Sequence, residues 1–267
     1  MDLSDKVAIV TGGGRGIGRG IVLVLARQGA SVVVTDINAV DAERTAAEVD
    51  PLGRQSMSVA LDVTDQPSVD AMVKAVVERH GRVDVLVNNA GVVGAPGWEE
   101  RGGKLSEMDW DLVYAVNVKG MARVTQAVTD HMRPRRYGKV VNIASVAGRK
   151  GTVTSYAYST SKAAVINMTQ SQAQELAPFS INVNAVCPGL IWSPLWERIG
   201  ARWAAANPQY HGMTARQVFD DFVRLRTPLG REQSPEDIGN AVAFLASDFA
   251  SNITGQALNV DGGSMMN

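Results

Sequence analysis

The stretch Thr11-Gly12-Gly13-Gly14-Arg15-Gly16-Ile17-Gly18 joins the apolar run Val7-Ala8-Ile9-Val10 to a segment in which Ile17, Ile21, Val24 and Leu25 recur at helical spacing. The order is strand, glycine turn, helix. Gly12 permits the tight turn, Gly16 lets the backbone approach a diphosphate, and Gly18 lets helix and strand pack closely. The free N–H groups that open the helix then face the anion. A glycine cluster alone is a weak signal; between a strand and a helix it predicts a dinucleotide cradle.

Working outward, a second run at 31–35 leads into Asp36, 24 residues after Gly12. A carboxylate at the end of the second strand accepts the ribose hydroxyls of NAD and repels the 2′-phosphate of NADP. Ile37 follows it and joins the expected cofactor contacts, as does Arg15 in the glycine loop. Arg15 pulls the other way on the phosphate, but the carboxylate is expected to outweigh it, so NAD(H) is favoured over NADP(H). A turn or N-cap aspartate is the competing reading of Asp36.

Further runs at 58–61, 83–87, 139–143, 182–186 and 257–260 are rich in Val and Ile and mostly do not alternate. That pattern suits strands buried on both faces. Helical stripes separate them; Val69, Met72, Val73, Val76 and Val77 form one, and Ser234-Pro235-Glu236-Asp237 reads as a helix start with N-cap and N1 proline. Repeated β-α-β units give an α/β fold, a doubly wound parallel sheet of Rossmann type, over residues 1–267 as a single NAD(P)-binding domain. Two stretches break the rhythm, about 92–105 and 190–228. Both follow strands, so both are expected to overhang the carboxyl edge, where such sheets bind ligands.

Composition narrows the function. The 267 residues are 45% apolar and carry a net charge of −1, which gives no electrostatic case for nucleic acid or a membrane surface. The basic trio Arg133, Arg135 and Arg136 is expected to be a solvated helix terminus. Cys187, the only cysteine, excludes an internal disulfide and reads as a small buried hydrophobe with nothing nearby to lower its pKa; a cytoplasmic protein is expected. His80, His131 and His211 lack ligand spacing, so no metal is expected, and His80 reads as the cap of its helix.

Over essentially its whole length the chain resembles the classical short-chain dehydrogenase/reductase family. The likeness is carried by Thr11-Gly12-x-x-x-Gly16-x-Gly18, Asp62-Val63, Asn88-Asn89-Ala90-Gly91, Asn117, Ser145, Tyr158-x-x-x-Lys162, Pro188-Gly189 and Asp261-Gly262-Gly263. It implies a hydride exchanged between nicotinamide and a secondary alcohol or ketone, with Tyr158 as general acid/base. By the same likeness Lys162 bonds the nicotinamide ribose, Ser145 the substrate oxygen, and Asn117 a water leading to solvent. Asn89, Ala90 and Gly91 would lie along the cofactor, and Asp62 and Val63 beside the adenine. Pro188, Gly189 and the Ile191 N–H would meet the carboxamide, with Ser193 where the family often has threonine. A homo-oligomer, a tetramer by family habit, is also implied.

Physical sense supports these roles. A phenol near pKa 10 is a poor base at neutral pH. Four residues apart on a helix, Tyr158 and Lys162 share a face, and the ammonium is expected to lower the phenol's pKa. Taken singly, each residue also has a purely structural reading: Asn117 as a helix-interior hydrogen bonder, Asp62 as a turn residue. The aromatics Trp192, Trp196, Trp203, Phe219 and Phe222, with Leu195, are expected to form either an apolar lid or a subunit interface, and Trp98 with Glu99, Glu100 and Arg101 the opposite wall. Arg149 and Arg202 are the cations nearest in sequence, and no cationic cluster marks an anionic substrate, so a small neutral alcohol or carbonyl is expected. The alternatives are a 3-oxoacyl (acyl-carrier) reductase using NADPH and, in another class, a non-catalytic dinucleotide-sensing protein.

Overall fold

Residues that alternate along one strand face two different cores. In β1 (Val7–Thr11), Ala8 and Val10 pack with Ile21, Val24, Leu25 and Ile238, whereas Val7 and Ile9 pack with Val69, Met72, Leu86 and Val124. Both faces are covered, which is why the strand runs are continuously apolar. The computed structural model describes residues 1–266 apart from 99–100, 102–103 and 152–154.

After β1 come α1 (Gly16–Arg27), β2 (Ser31–Asp36), α2 (Ala39–Ala47), β3 (Ser56–Ala60), α3 (Gln66–His80) and β4 (Val85–Asn88). The chain continues through α4 (Glu107–Tyr114), α5 (Met121–Met132), β5 (Gly138–Ile143), α6 (Tyr156–Leu176) and β6 (Ile181–Pro188). It ends with α7 (Pro194–Ala206), α8 (Ala215–Arg226), α9 (Pro235–Ala246) and β7 (Ala257–Val260). The seven strands form one parallel sheet in the order β3-β2-β1-β4-β5-β6-β7. The order reverses between β1 and β4, and the loops leaving their carboxyl ends open a crevice there.

Each expected strand exists; the last keeps its expected bounds and the others have one or both ends displaced. The fourth strand begins at Val85, and just before it the Asp84 carboxylate accepts the Val7 N–H at 3.0 Å and pairs with Arg82 and Arg135. The third strand starts two residues early, since a half-buried edge strand needs a ladder partner more than an apolar side chain. Helix starts follow the expected chemistry: the Ser234 hydroxyl accepts the Asp237 N–H at 3.1 Å, and the Asp237 carboxylate reaches back to the Ser234 N–H at 2.8 Å.

Two expectations are corrected. The basic trio is not merely solvated, for Arg135 bonds the buried Asp84 and the Val83 carbonyl, and Arg133 pairs with Glu175. The partners lie some 40 or more residues away, where local reading does not reach. The third helix is closed by Gly81 in the left-handed conformation (φ 71°) rather than by His80, whose Nε2 is buried without a partner.

Among the described residues no helix is long and apolar enough to cross a membrane.

Candidate active site

The glycine loop is shaped from both sides. Gly12 and Gly16 hold φ values of 62° and 55°, a region costly for any side chain. A Cβ at Gly18 would run into the carbonyl oxygen of Gly12, so helix and strand approach more closely than alanine allows. A Cβ at Gly16 would meet nothing, since that position faces open cleft. The loop is tied to β4: Thr11 Oγ1 accepts the N–H groups of Asn89 and Ala90, both at 3.0 Å, and Asn89 Nδ2 donates to the carbonyls of Thr11 and Gly12.

Asp36 ends β2 with its carboxylate inside the same cleft. One oxygen accepts the Gly14 N–H at 3.1 Å and the other the Asn38 N–H at 3.0 Å. The turn reading and the ribose reading therefore coexist, because each oxygen keeps a lone pair. Asp62 is likewise double: Oδ1 accepts from the Thr64 backbone and hydroxyl at 2.8 and 2.7 Å, yet the residue borders the cleft beside Val63. Arg15 and Ile37 are exposed at its rim.

The cleft, about 450 Å³, runs from this rim across the sheet to the ends of β5 and β6. Ser145 follows β5, and its hydroxyl accepts the Ala147 N–H at 3.1 Å and bonds to Tyr158. Tyr158 and Lys162 lie one turn apart on α6, the ammonium 5.6 Å from the ring centroid. Lys162 is buried, and its Nζ donates to the Ile143 carbonyl at 2.8 Å. Burial lowers its pKa to about 8. Burial also pushes the Tyr158 phenol up, with the Ser145 hydrogen bond opposing. The expected lowering of Tyr158 by Lys162 is thus corrected: desolvation of the phenolate dominates.

Asn117 sits fully buried in a π-helical turn, Ala115–Gly120, between α4 and α5. Its Oδ1 accepts the Val92 N–H at 2.8 Å, while Nδ2 donates to the Val92 carbonyl at 2.9 Å and to Ser161 Oγ at 3.0 Å. This clamp is the structural reading of the residue. A Cβ at Gly91 would stand 3.2 Å from Asn117 Oδ1 and 3.6 Å from Lys162 Nζ, so both converge beneath Gly91.

The second rhythm-breaking stretch is a helical hairpin rather than a bare loop. Helices α7 and α8 enclose an aromatic cluster in which Phe219, fully buried, takes the edges of Trp192 and Trp196 at centroid distances of 5.2 and 5.1 Å. Arg216 stacks on Trp192 at 5.1 Å and bridges to Asp220 and Glu232. Trp192, Leu195 and Trp196 line the cleft, and Ser193 caps α7 by accepting the Trp196 N–H at 3.3 Å.

The opposite wall is corrected. Val92 and Val93 line the cleft, whereas Trp98 is buried against Gly94 and Arg101 is held by Asp109. Glu99 and Glu100 lie outside the described residues. Arg149 also turns away, donating to the Ala257 carbonyl, and its proximity to Cys187 corrects the expectation of no cation there. Burial nonetheless pushes the Cys187 thiol up against the effect of Arg149. Pro188, Gly189 and Ile191 border the cleft as expected. The sequence reading missed Leu61, Val116, Ile143, Ala144 and Pro235 as lining residues and gave the Thr11 hydroxyl no role. The threonine preceding the glycine turn was the available signal for the last.

The cradle, the Asp36 carboxylate and the crevice fit a dinucleotide. A family model described as enoyl-(acyl carrier protein) reductase matches residues 12–265. A 3-oxoacyl-[acyl-carrier-protein] reductase of Thermotoga maritima is 38% identical, covering 98% of this chain and 99% of its own. A galactitol 2-dehydrogenase of Agrobacterium fabrum is 39% identical over 100% of both chains. Among solved structures, an NAD+-bound xylitol dehydrogenase superposes with a TM-score of 0.89 at 35% identity, covering 98% of this chain and 100% of that one.

Proposed function

The chain belongs to the short-chain dehydrogenase/reductase family and is an oxidoreductase acting on CH–OH groups with NAD(P), and we propose that it interconverts a small neutral secondary alcohol and its ketone with NAD(H). The observation that carries this reading is the convergence of Ser145, Tyr158 and Lys162 in the same cleft as the glycine cradle.

Nicotinamide, when bound, supplies or accepts the hydride. The chain's own residues do the rest. Ser145 donates to the substrate oxygen as negative charge grows on it. The Tyr158 phenol gives its proton to that oxygen in reduction and recovers one in oxidation. Its upward shift keeps it protonated, which suits the donor role. Lys162 holds the ribose and, together with Asn117 beneath Gly91, returns protons from solvent to Tyr158. Gly12, Gly16, Ile17 and Gly18 receive the diphosphate through N–H groups, and Arg15 adds a cation at the rim. Asp62 and Val63 border the adenine, with Asn89, Ala90 and Gly91 along the ribose. Pro188, Gly189, Ile191 and Ser193 hold the carboxamide.

NAD(H) is favoured because Asp36, with Ile37 beside it, stands where a 2′-phosphate would go. A polyol dehydrogenase relative and an NAD+-bound structural neighbour support a small alcohol and NAD. The acyl-carrier reductase relative and the exposed Arg15 favour a second reading, reduction of a 3-oxoacyl thioester with NADPH. We infer a cytoplasmic protein from its single cysteine and a homo-oligomer from the habit of the family. The test follows absorbance at 340 nm with NAD(H) and NADP(H) on secondary alcohols, ketones and a 3-oxoacyl thioester. Turnover of simple ketones with NADH supports the first reading; thioester reduction with NADPH alone replaces it with the second.

A further inference from the structure

The two ends of the cleft differ in charge. Arg15, Asp36 and Asp62 line the end formed by β1, β2 and β3, and Lys162 stands at the reaction centre. From Asn89 to Val93 and from Pro188 to Trp196, no described lining residue carries a charge. Topology puts these segments on either side of Ser145, because β5 lies between β4 and β6. A substrate held at Ser145 and Tyr158 is therefore flanked by Val92 and Val93 on one side and by Trp192, Leu195 and Trp196 on the other.

The polar side chains on these flanks among the described residues, Asn89 and Ser193, are each partly engaged. The Asn89 amide is turned to the Thr11 and Gly12 carbonyls, and Ser193 caps α7. Nearest the reacting centre among the described lining residues stand Ser145 and Tyr158, and both address the single oxygen that reacts. The hydroxyls of a polyol would lose water against valine and tryptophan and gain few side-chain partners, which disfavours their burial. An apolar carbon frame gains from the same surfaces. The tryptophan faces are also fixed in advance, since Phe219 and Arg216 hold Trp192 from behind.

Resting on the activity proposed above, we infer that the substrate is a secondary alcohol or ketone carried on an apolar carbon frame, selected by the Trp192–Trp196 wall, rather than a polyol or ketose. The reaction is the balanced two-electron exchange already described: the carbonyl carbon gains hydride and its oxygen gains the Tyr158 proton.

The experiment measures kcat/KM for a substituted cyclohexanone and for fructose with the preferred cofactor, alongside tryptophan fluorescence of the enzyme–NADH complex titrated with each. The expected result is a cyclic-ketone preference of about 100-fold, the scale of hydrophobic-pocket discrimination. In Trp192→Ala the cyclic ketone loses roughly tenfold, through KM, with NADH binding unchanged. Leu195→Asn, a change of a half-buried cleft residue, gives the same direction should the first variant fold poorly. Equal or faster fructose turnover overturns the inference and leaves the activity standing. Saturable quenching by the cyclic ketone without any reduction overturns the activity and leaves the wall standing. Neither binding nor reduction of the cyclic ketone overturns the inference.

Discussion

The glycine cradle and the α7–α8 hairpin border the same cleft but are built on different principles. In the cradle, backbone geometry decides: positive φ at Gly12 and Gly16 strains any side chain, and the contact of Gly18 with the Gly12 carbonyl leaves no room for one. In the hairpin, side-chain packing decides: Trp192 and Trp196 meet Phe219, while Trp196, Trp203 and Tyr210 gather on Phe222 in a small core separate from those that cover the sheet. Backbone constraints are local and admit one residue type. Packing constraints are collective and admit several. The cradle should therefore fail abruptly and only in cofactor binding, the hairpin gradually and mainly in substrate binding.

The largest effect is expected from Gly18→Val. Pushing α1 off β1 by an ångström misplaces the diphosphate N–H groups, and NADH affinity falls by roughly 100-fold or more. Titrating NADH by fluorescence checks this; unchanged affinity would break the contrast between the regions.

Phe219→Ala removes the anvil behind both tryptophans. Complete loss of such a buried ring costs about 3–5 kcal/mol. Here the loss falls on ring contacts within the helical hairpin, outside the clusters that cover the sheet, so local loosening precedes global unfolding. The expected outcome is a several-fold rise in substrate KM with the NADH dissociation constant unchanged, read from initial rates and titration. A loss of NADH affinity equal to that of substrate would mean that the two regions are one mechanical unit.

Asp36→Ser sharpens the cradle's half of the comparison. A carboxylate a few ångströms from a 2′-phosphate in a partly screened site is worth about 1–4 kcal/mol. The ratio of kcat/KM for NADPH over NADH should rise roughly tenfold or more. Because Asp36 also accepts the Gly14 and Asn38 N–H groups, a lower melting temperature accompanies the change.

The smallest effect lies between the regions, at Lys162. Its folded pKa, about 8, is below the ordinary 10.5. Between those values the unfolded chain binds the extra proton, so stability contributed by this group rises as pH increases through that window. The gain is at most about 3 kcal/mol. Urea midpoints at pH 7.5 and 10 should diverge less in Lys162→Met than in the parent. Identical pH slopes in the two proteins would contradict burial as the cause.

The same division explains what was legible from the sequence. Strand runs, the glycine turn, the Ser234 capping box and the Tyr158–Lys162 turn are local patterns, and the structure brings their residues to one sheet edge. Legibility stopped where partners are distant. The Arg135–Asp84 pair spans 51 residues, and the Asn117 clamp on Val92 spans 25. Aromatic residues at 190–228 announced an apolar surface, but their mutual edge contacts, which make a hairpin of a loop, depend on two helices meeting. The Tyr158 phenol was misjudged because helical spacing reveals the neighbouring ammonium and says nothing about burial.

The central claim is that Tyr158 passes the proton. Its most direct test is single-turnover reduction of a ketone by Tyr158→Phe preloaded with NADH. The account predicts unaltered NADH binding and hydride transfer slowed by about 10²–10⁴-fold. A transfer rate within a few-fold of the parent would contradict it.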